Sequence, residues 1–158
     1  MPNPHNEFAN RLTELLPQAI VWAKEQSELA LKRGEPLNAL GLKVAQAVGV
    51  KHAERIRIST LSELPAPEDA ELRRFAAEQN LISPDTRGFT LGYGILIRRG
   101  ELDLPLLSHE CRHVYQFEEI GSLEAFLPLY LRQIADFTYH DAPYEQDARA
   151  HELKVLPE

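Results

Sequence analysis

The last third of the chain has the pattern of three consecutive helices with very short breaks between them. Apolar residues recur at helical intervals over residues 106–119, 122–139 and 143–153. Gly121 ends the first helix, and the Asp141-Ala142-Pro143 segment separates the second from the third. Because short connections make neighbouring helices antiparallel, we expect the third helix to return and lie against the first.

The earlier part of the chain mixes helices and strands. Helical periodicity predicts helices over residues 8–32 and 37–48, and a third that starts near Pro65 and ends near Asn80. Alternation of polar and apolar residues predicts one strand over 55–60 and another over 89–97. We therefore expect a mainly helical α+β fold with a small sheet of two or three strands.

Composition limits the classes of protein that the chain can belong to. With 158 residues, it is the size of one domain, and 44% hydrophobic and 26% charged residues are ordinary for a globular protein. No segment has the roughly 18 unbroken apolar residues of a membrane span. A net charge of −7 argues against a nucleic-acid partner. We expect a single domain over residues 1–158, with N-terminal helices and the first strand in 1–60 and the second strand and last helices in 89–153.

One short motif carries chemistry. The segment His109-Glu110-Cys111-Arg112-His113 is an H-E-x-x-H pattern inside the helix predicted at residues 106–119. Residues four apart lie on one helix face, so both imidazoles can bind one ion, and Glu110 lies about 100° and 60° round from the two histidines. This is the geometry of a zinc hydrolase, in which the glutamate accepts a proton from water. The alternative is a solvated helix face with ordinary hydrogen bonds.

A zinc site of this kind needs a third protein ligand and an open fourth position. All the downstream candidates lie 27 or more residues after His113. The intervening helix over residues 122–139 is long enough to go out and allow the last helix to return to the metal. The candidates are His140, Asp141, Glu145, Asp147, His151 and Glu152.

The residues 106–116 together with 142–148 resemble the gluzincin branch of zinc metallopeptidases, in particular small zincin-like bacterial domains. In several gluzincin families the third ligand is a glutamate three residues before an alanine, and Glu145 before Ala148 matches that position. The resemblance implies that His109, His113 and Glu145 bind zinc, with Asp147 as the rival third ligand. It also implies a peptidase that acts on peptides or proteins.

The chain departs from that family pattern at one position. Arg149 stands where an aspartate often follows the alanine. Where such an aspartate orients a histidine ligand, this chain must use another acceptor, for which Asp147 and Glu152 are the candidates.

Other residues have less specific signals. Peptide hydrolysis benefits from a donor to the developing oxyanion, and the candidates are Tyr93, Tyr139, His140 and Tyr144, with Tyr93 and His140 preferred. Each of them also has a purely structural interpretation. Cys111 points about 160° away from His113 on the helix, which favours a buried, unreactive thiol.

Two glycines in the predicted strand allow two interpretations. In zincins a strand at the edge of the cleft pairs with the substrate, and main-chain groups near Gly92 and Gly94 are candidates for that pairing. Alternatively, the glycines ease packing against the metal-binding helix.

The sequence therefore leads to two functional hypotheses. The first is a zinc-dependent hydrolase, with Glu110 as general base. The second is a catalytically idle zinc-binding module with a regulatory or partner-binding role. The absence of a basic, apolar leader at the start and the single cysteine favour the cytoplasm. The sequence predicts neither a membrane nor a nucleic-acid partner.

Overall fold

A computed structural model describes residues 4–158, without the side chains of residues 4–6 and 8. The fold is a mainly helical α+β fold with a small mixed sheet, as the sequence predicts. No helix among the described residues is both long and apolar enough to cross a membrane. The helices are α1 (Pro4–Arg33), α2 (Ala39–Ala47), α3 (Ala70–Glu78), α4 (Leu104–Ile120), α5 (Leu123–Asp141) and α6 (Pro143–Ala150).

The sheet has one more strand than the largest number expected. Its strands are β1 (Glu35–Pro36), β2 (Arg57–Leu61), β3 (Gly88–Leu91) and β4 (Gly94–Arg98), in the order β1-β2-β4-β3. β2 and β4 are parallel, and the two outer pairs are antiparallel. β1 was not predicted from the sequence, because two residues are too few to show an alternating pattern.

The prediction of a single strand over residues 89–97 was wrong, because this segment forms a hairpin. Gly92 and Tyr93 make the turn between β3 and β4. Gly92 has φ +66°, and glycine at the first central position is typical of a type II′ hairpin turn. The hairpin leaves β3 at the edge of the sheet and places β4 inside it.

β4 is buried on both faces because helices cover both sides of the sheet. Ile95 and Ile97 belong to the same core cluster as Cys111 and Val114 of α4. Leu96, with the opposite orientation, packs with a cluster that includes residues of α1. The sheet is therefore held between α1 and α4.

The close approach at Gly94 is made by α1. A Cβ atom at Gly94 would lie 2.8 Å from the Cβ of Ala30, which leaves no room for a side chain. Gly94 also lies on an inner strand, with neighbours on both sides. Both interpretations of this glycine were therefore wrong: it neither adjoins the metal-binding helix nor offers a free edge to a substrate.

Candidate metal centre

Helix α4 presents two histidines on one face and core residues on the other. Asp103 caps its start by accepting a hydrogen bond from the backbone N–H of Leu106, and Gly121 ends it in the left-handed conformation, with φ 106°. The rings of His109 and His113 lie with their centroids 4.9 Å apart. Cys111 is fully buried in the core, and burial raises the pKa of its thiol, so it is an inert core residue.

Helix α6 brings Glu145 to these two histidines. Its Oε1 lies 3.1 Å from Nε2 of His109, and its Oε2 lies 2.9 Å from Nε2 of His113. One ligand atom from each of the three residues falls within 4.8 Å of the others. Helix α6 packs against α4, as the sequence led us to expect, and this packing brings the three side chains together.

The donor set fits a zinc ion. Two imidazole nitrogens and one carboxylate oxygen are ligands that zinc accepts readily, and three protein ligands leave a position for water or substrate. Calcium and magnesium prefer sets made only of oxygen atoms. The chemistry of the three side chains therefore favours zinc over these two ions.

The cluster is strongly coupled electrostatically. Burial lowers the pKa of His113, but the charge of Glu145 and its hydrogen bond outweigh burial and raise that pKa to about 9. The pKa of His109 is raised as well, because its bond to Glu145 and the charges of Glu110 and Glu145 together outweigh burial. Burial alone would raise the pKa of Glu145, which is 1% exposed, but the two histidines hold that pKa well below its usual range. Without metal, the group is therefore an ion-paired cluster.

Each histidine is also held from its other nitrogen. Nδ1 of His109 lies 3.0 Å from Oε2 of Glu152, and Nδ1 of His113 lies 2.8 Å from Oε1 of Gln116. Acceptors on Nδ1 favour the tautomer that leaves Nε2 free to bind a metal. Glu152 is one of the two orienting acceptors considered from the sequence, whereas Gln116 was missed. Its position three residues after His113, on the same helix face, was the available signal.

Asp147, the rival third ligand, has a different set of partners. Its Oδ2 accepts from Nε of Arg112 at 2.8 Å and from Nε2 of Gln116 at 2.9 Å. Arg112 in turn donates to the carbonyl of Val48, at 2.7 Å. Asp147 therefore fastens α6 to α4 and supports Gln116, which orients His113, instead of joining the three ligand atoms.

Glu110 lies beside the cluster and is only 4% exposed. Its Oε2 accepts a hydrogen bond of 2.6 Å from the hydroxyl of Thr90 on the edge strand β3. It lines two cavities, of about 130 and about 380 Å³, which meet at this side chain. Glu110 is thus anchored, yet it faces space that a substrate can enter.

Two tyrosines of α5 face the cluster. The hydroxyl of Tyr130 donates to Oε2 of Glu145 at 2.7 Å, and Tyr139 lines both cavities. Burial, together with the charge of Glu145, raises the pKa of both hydroxyls, so both remain protonated donors at neutral pH. Tyr139 was among the candidate donors, but Tyr130 was missed, because a tyrosine in an apolar helical stripe looks like core.

The backbone just before Tyr139 is strained. Thr138 has φ 71° and ψ 165°, and it divides α5 into two helical segments. This region is occupied almost exclusively by glycine, and holding another residue there costs of the order of 1–3 kcal/mol. The change of direction at Thr138 turns the next residue, Tyr139, towards the cavities.

The two preferred oxyanion donors lie elsewhere. Tyr93 is in the hairpin turn, where its hydroxyl donates to Glu118 at 2.8 Å. The side chain of His140 is 83% exposed and lies 3.0 Å from Asp141. Neither lines the two cavities that meet at Glu110. The preference for these two residues was therefore wrong. Their positions in the sequence relative to the motif did not reveal which side chains the fold places beside the metal centre.

Comparison with protein-family models, with curated proteins and with solved structures finds no match to this chain. The functional assignment therefore depends on the site itself. In the described residues, fold and site together define a mainly helical α+β protein with a candidate centre of two histidines and one glutamate.

Proposed function

We propose that this protein is a zinc-dependent hydrolase that cleaves peptide bonds. The observation that carries the proposal is the placement of Glu110 next to the cluster of His109, His113 and Glu145, at the point where two cavities meet. A metal-binding site with a purely structural role needs no such access, because it is closed by its ligands. The adjacent carboxylate and the open space favour chemistry at this centre.

The residues at this centre have separate roles in hydrolysis: the cluster binds the metal, and Glu110 transfers the proton. Zinc bound by the cluster supplies a Lewis acid that lowers the pKa of water to about 7 and polarises the substrate carbonyl. Glu110 accepts a proton from the water whose oxygen attacks the carbonyl carbon. When the carbon–nitrogen bond breaks, Glu110 returns that proton to the nitrogen. The immediate products are a carboxylic acid and an amine, and transfer of the second water proton from the acid to the amine gives a carboxylate and an ammonium. The hydrogen bond from Thr90 fixes one oxygen of Glu110 during these transfers.

Tyr139 is the best-placed donor for the negative charge that develops on the carbonyl oxygen. Tyr139 lines both cavities, and its hydroxyl is protonated at neutral pH. Tyr130 lines only the smaller cavity, and its hydroxyl is committed to a 2.7 Å hydrogen bond with Glu145. A donor directed at a developing oxyanion contributes about 100-fold or more to the rate. A donor in this position favours a catalytic centre over the alternative of a catalytically idle zinc-binding module.

The edge strand β3 offers main-chain groups to a peptide. Leu91 and Gly94 flank the two-residue turn and form a hydrogen-bonded pair, so alternation directs the main-chain groups of Gly88 and Thr90 away from β4. Both residues line the cavity beside Glu110. An extended peptide bound along this edge passes the cluster, which is why peptides are the proposed substrates.

The compartment we propose is the cytoplasm. Cys111, the one cysteine in the sequence, is a buried free thiol. Proteins of oxidising compartments use cysteine mainly in disulfides, so this usage favours a reducing environment. Fractionation of the native cells, followed by immunodetection, tests the assignment, and recovery outside the cytoplasm would contradict it.

Zinc analysis combined with peptide hydrolysis tests the function. The purified protein should bind one zinc ion and cleave a mixed peptide library. Glu110→Gln should retain the zinc and lose turnover, His109→Ala should lose both, and the control Glu119→Gln, at an exposed position of the same helix, should keep both. Stoichiometric zinc without any cleavage would support the idle module instead, and hydrolysis by Glu110→Gln would refute the mechanism.

A further inference from the structure

The smaller of the two cavities at Glu110 has an unusual lining. It is walled by apolar side chains from four elements, α1, α3, β3 and α5, including Trp22, Phe75, Phe89 and Phe126. Protein interiors contain few voids larger than a water molecule, so an apolar cavity of about 130 Å³ needs an explanation.

The polar lining of this cavity points to its use. Among the described residues, every ionisable side chain in the lining belongs to the metal cluster or faces it. These are Glu110, His113, Tyr130, Tyr139 and Glu145. The cavity is therefore continuous with the reaction centre. A side chain of a substrate whose carbonyl lies beside Glu110 is therefore within reach of this cavity.

Its size limits what can enter. An engineered apolar cavity of about 150 Å³ in another protein binds benzene, so about 130 Å³ suits one aromatic ring or a branched aliphatic chain. The second cavity that Glu110 lines is larger, about 380 Å³, and its lining includes Asp85, Arg87 and Glu152. The two cavities at Glu110 thus differ in chemistry.

We propose that the apolar cavity is a specificity pocket for a large apolar side chain, aromatic or branched aliphatic, next to the scissile peptide bond. This inference rests on the proposed hydrolase function, because it identifies the substrate class of that site. A pocket of this kind discriminates by about 10- to 200-fold for each methylene group lost. Phenylalanine should therefore exceed alanine by about 100-fold or more in kcat/KM.

A binding experiment separates this inference from the catalytic proposal. Trp22, the one tryptophan in the sequence, lines the pocket and reports its occupancy by fluorescence. The zinc-loaded protein is titrated with 3-phenylpropanohydroxamate and with acetohydroxamate, which share the metal-binding group and differ in the apolar part. We expect about 100-fold tighter binding of the first. Equal binding of both would overturn the pocket assignment while leaving the hydrolase proposal standing.

Two adjacent alanines of α3 provide matched variants. Ala76 is buried and lines the pocket, whereas Ala77 is exposed. Ala76→Leu adds three carbon atoms to the pocket and should remove most of the preference for the phenyl probe, whereas Ala77→Leu should retain it. An unchanged preference in folded Ala76→Leu would refute the inference.

An enlarging variant covers the case in which Ala76→Leu does not fold. Leu127 lines the pocket, and Leu129, two residues later on α5, is exposed. Leu127→Ala should shift the preference from a phenyl to a naphthyl hydroxamate, and Leu129→Ala should not. An identical preference in the two variants would contradict the pocket. If the protein binds the phenyl hydroxamate more tightly than acetohydroxamate, as expected, but cleaves no peptide, the hydrolase proposal fails and the pocket assignment stands.

Discussion

The metal-free protein should lose stability as the pH rises through neutrality, because protonated histidine holds its ligand cluster together. The pKa of His113 is about 9 in the folded state, against an ordinary value of 6.5. A pKa that is raised by folding gives its full stabilisation below 6.5 and loses it as the pH rises towards 9. The free energy of unfolding should therefore fall by about 1.4 kcal/mol per pH unit for this proton. His109, whose pKa is also raised, adds to the effect.

Glu145 contributes with the opposite pH dependence. Its pKa is lowered by folding, so its stabilisation is present above its ordinary value of 4.5 and is lost only in stronger acid. It therefore does not oppose the loss above pH 6.5. Zinc should reverse the trend, because it binds unprotonated imidazole and its stabilising effect grows as protons leave.

Urea unfolding from pH 5.5 to 8, followed by Trp22 fluorescence in the presence of a chelator, measures this slope. The upper limit stays below the titration of a free cysteine thiol, near 8.5. Glu145→Gln should flatten the slope by about 1.4 kcal/mol per pH unit, and the control His140→Gln, at an exposed histidine, should not. A flat or rising stability of the metal-free protein above pH 6.5, or an equal slope in Glu145→Gln, would refute the ion-paired cluster.

Three further predictions concern single side chains around the centre. Glu152→Gln should weaken zinc binding by about 10- to 100-fold in competition with a chromogenic chelator, because the charged acceptor on His109 is lost; unchanged affinity would remove its orienting role. Tyr139→Phe should lower kcat by about 100-fold or more at constant zinc content and little-changed KM, and a loss confined to KM would make it a binding group. Arg112→Ala should lower the free energy of unfolding by about 2 kcal/mol in urea, because Asp147 loses a partly buried charged donor; an unaltered midpoint would show that α6 is held by other contacts.

Much of the helical framework could be predicted from the sequence. The caps and breaks of α4 to α6 are local signals, since Gly121 and the segment around Pro143 act on the backbone within a few residues. The two motif histidines could be predicted for the same reason, because their spacing alone places them on one helix face. The hairpin at Gly92 was not recognised, because a two-residue turn with tyrosine at its second position lacks the usual Asn-Gly or Asp-Gly pair.

The surroundings of the cluster could be predicted only in part. Glu145 was found through its place before Ala148, whereas Thr90 and Tyr130 reach the site from distant elements. Their contacts depend on how β3 and α5 pack against α4, and no spacing within the sequence encodes that packing. The prediction of donors failed for this reason: the fold decides which tyrosine faces the cavities.

Thr138 has a consequence for how this protein can adapt to heat. Glycine at this position would relieve the strained backbone, so selection for thermal stability alone would favour it. The same replacement would loosen the turn that directs Tyr139, and activity would fall as the melting temperature rose. Threonine at this position therefore lowers the stability of the protein but holds Tyr139 in place. Thermostable variants of this chain should gain their stability at other positions.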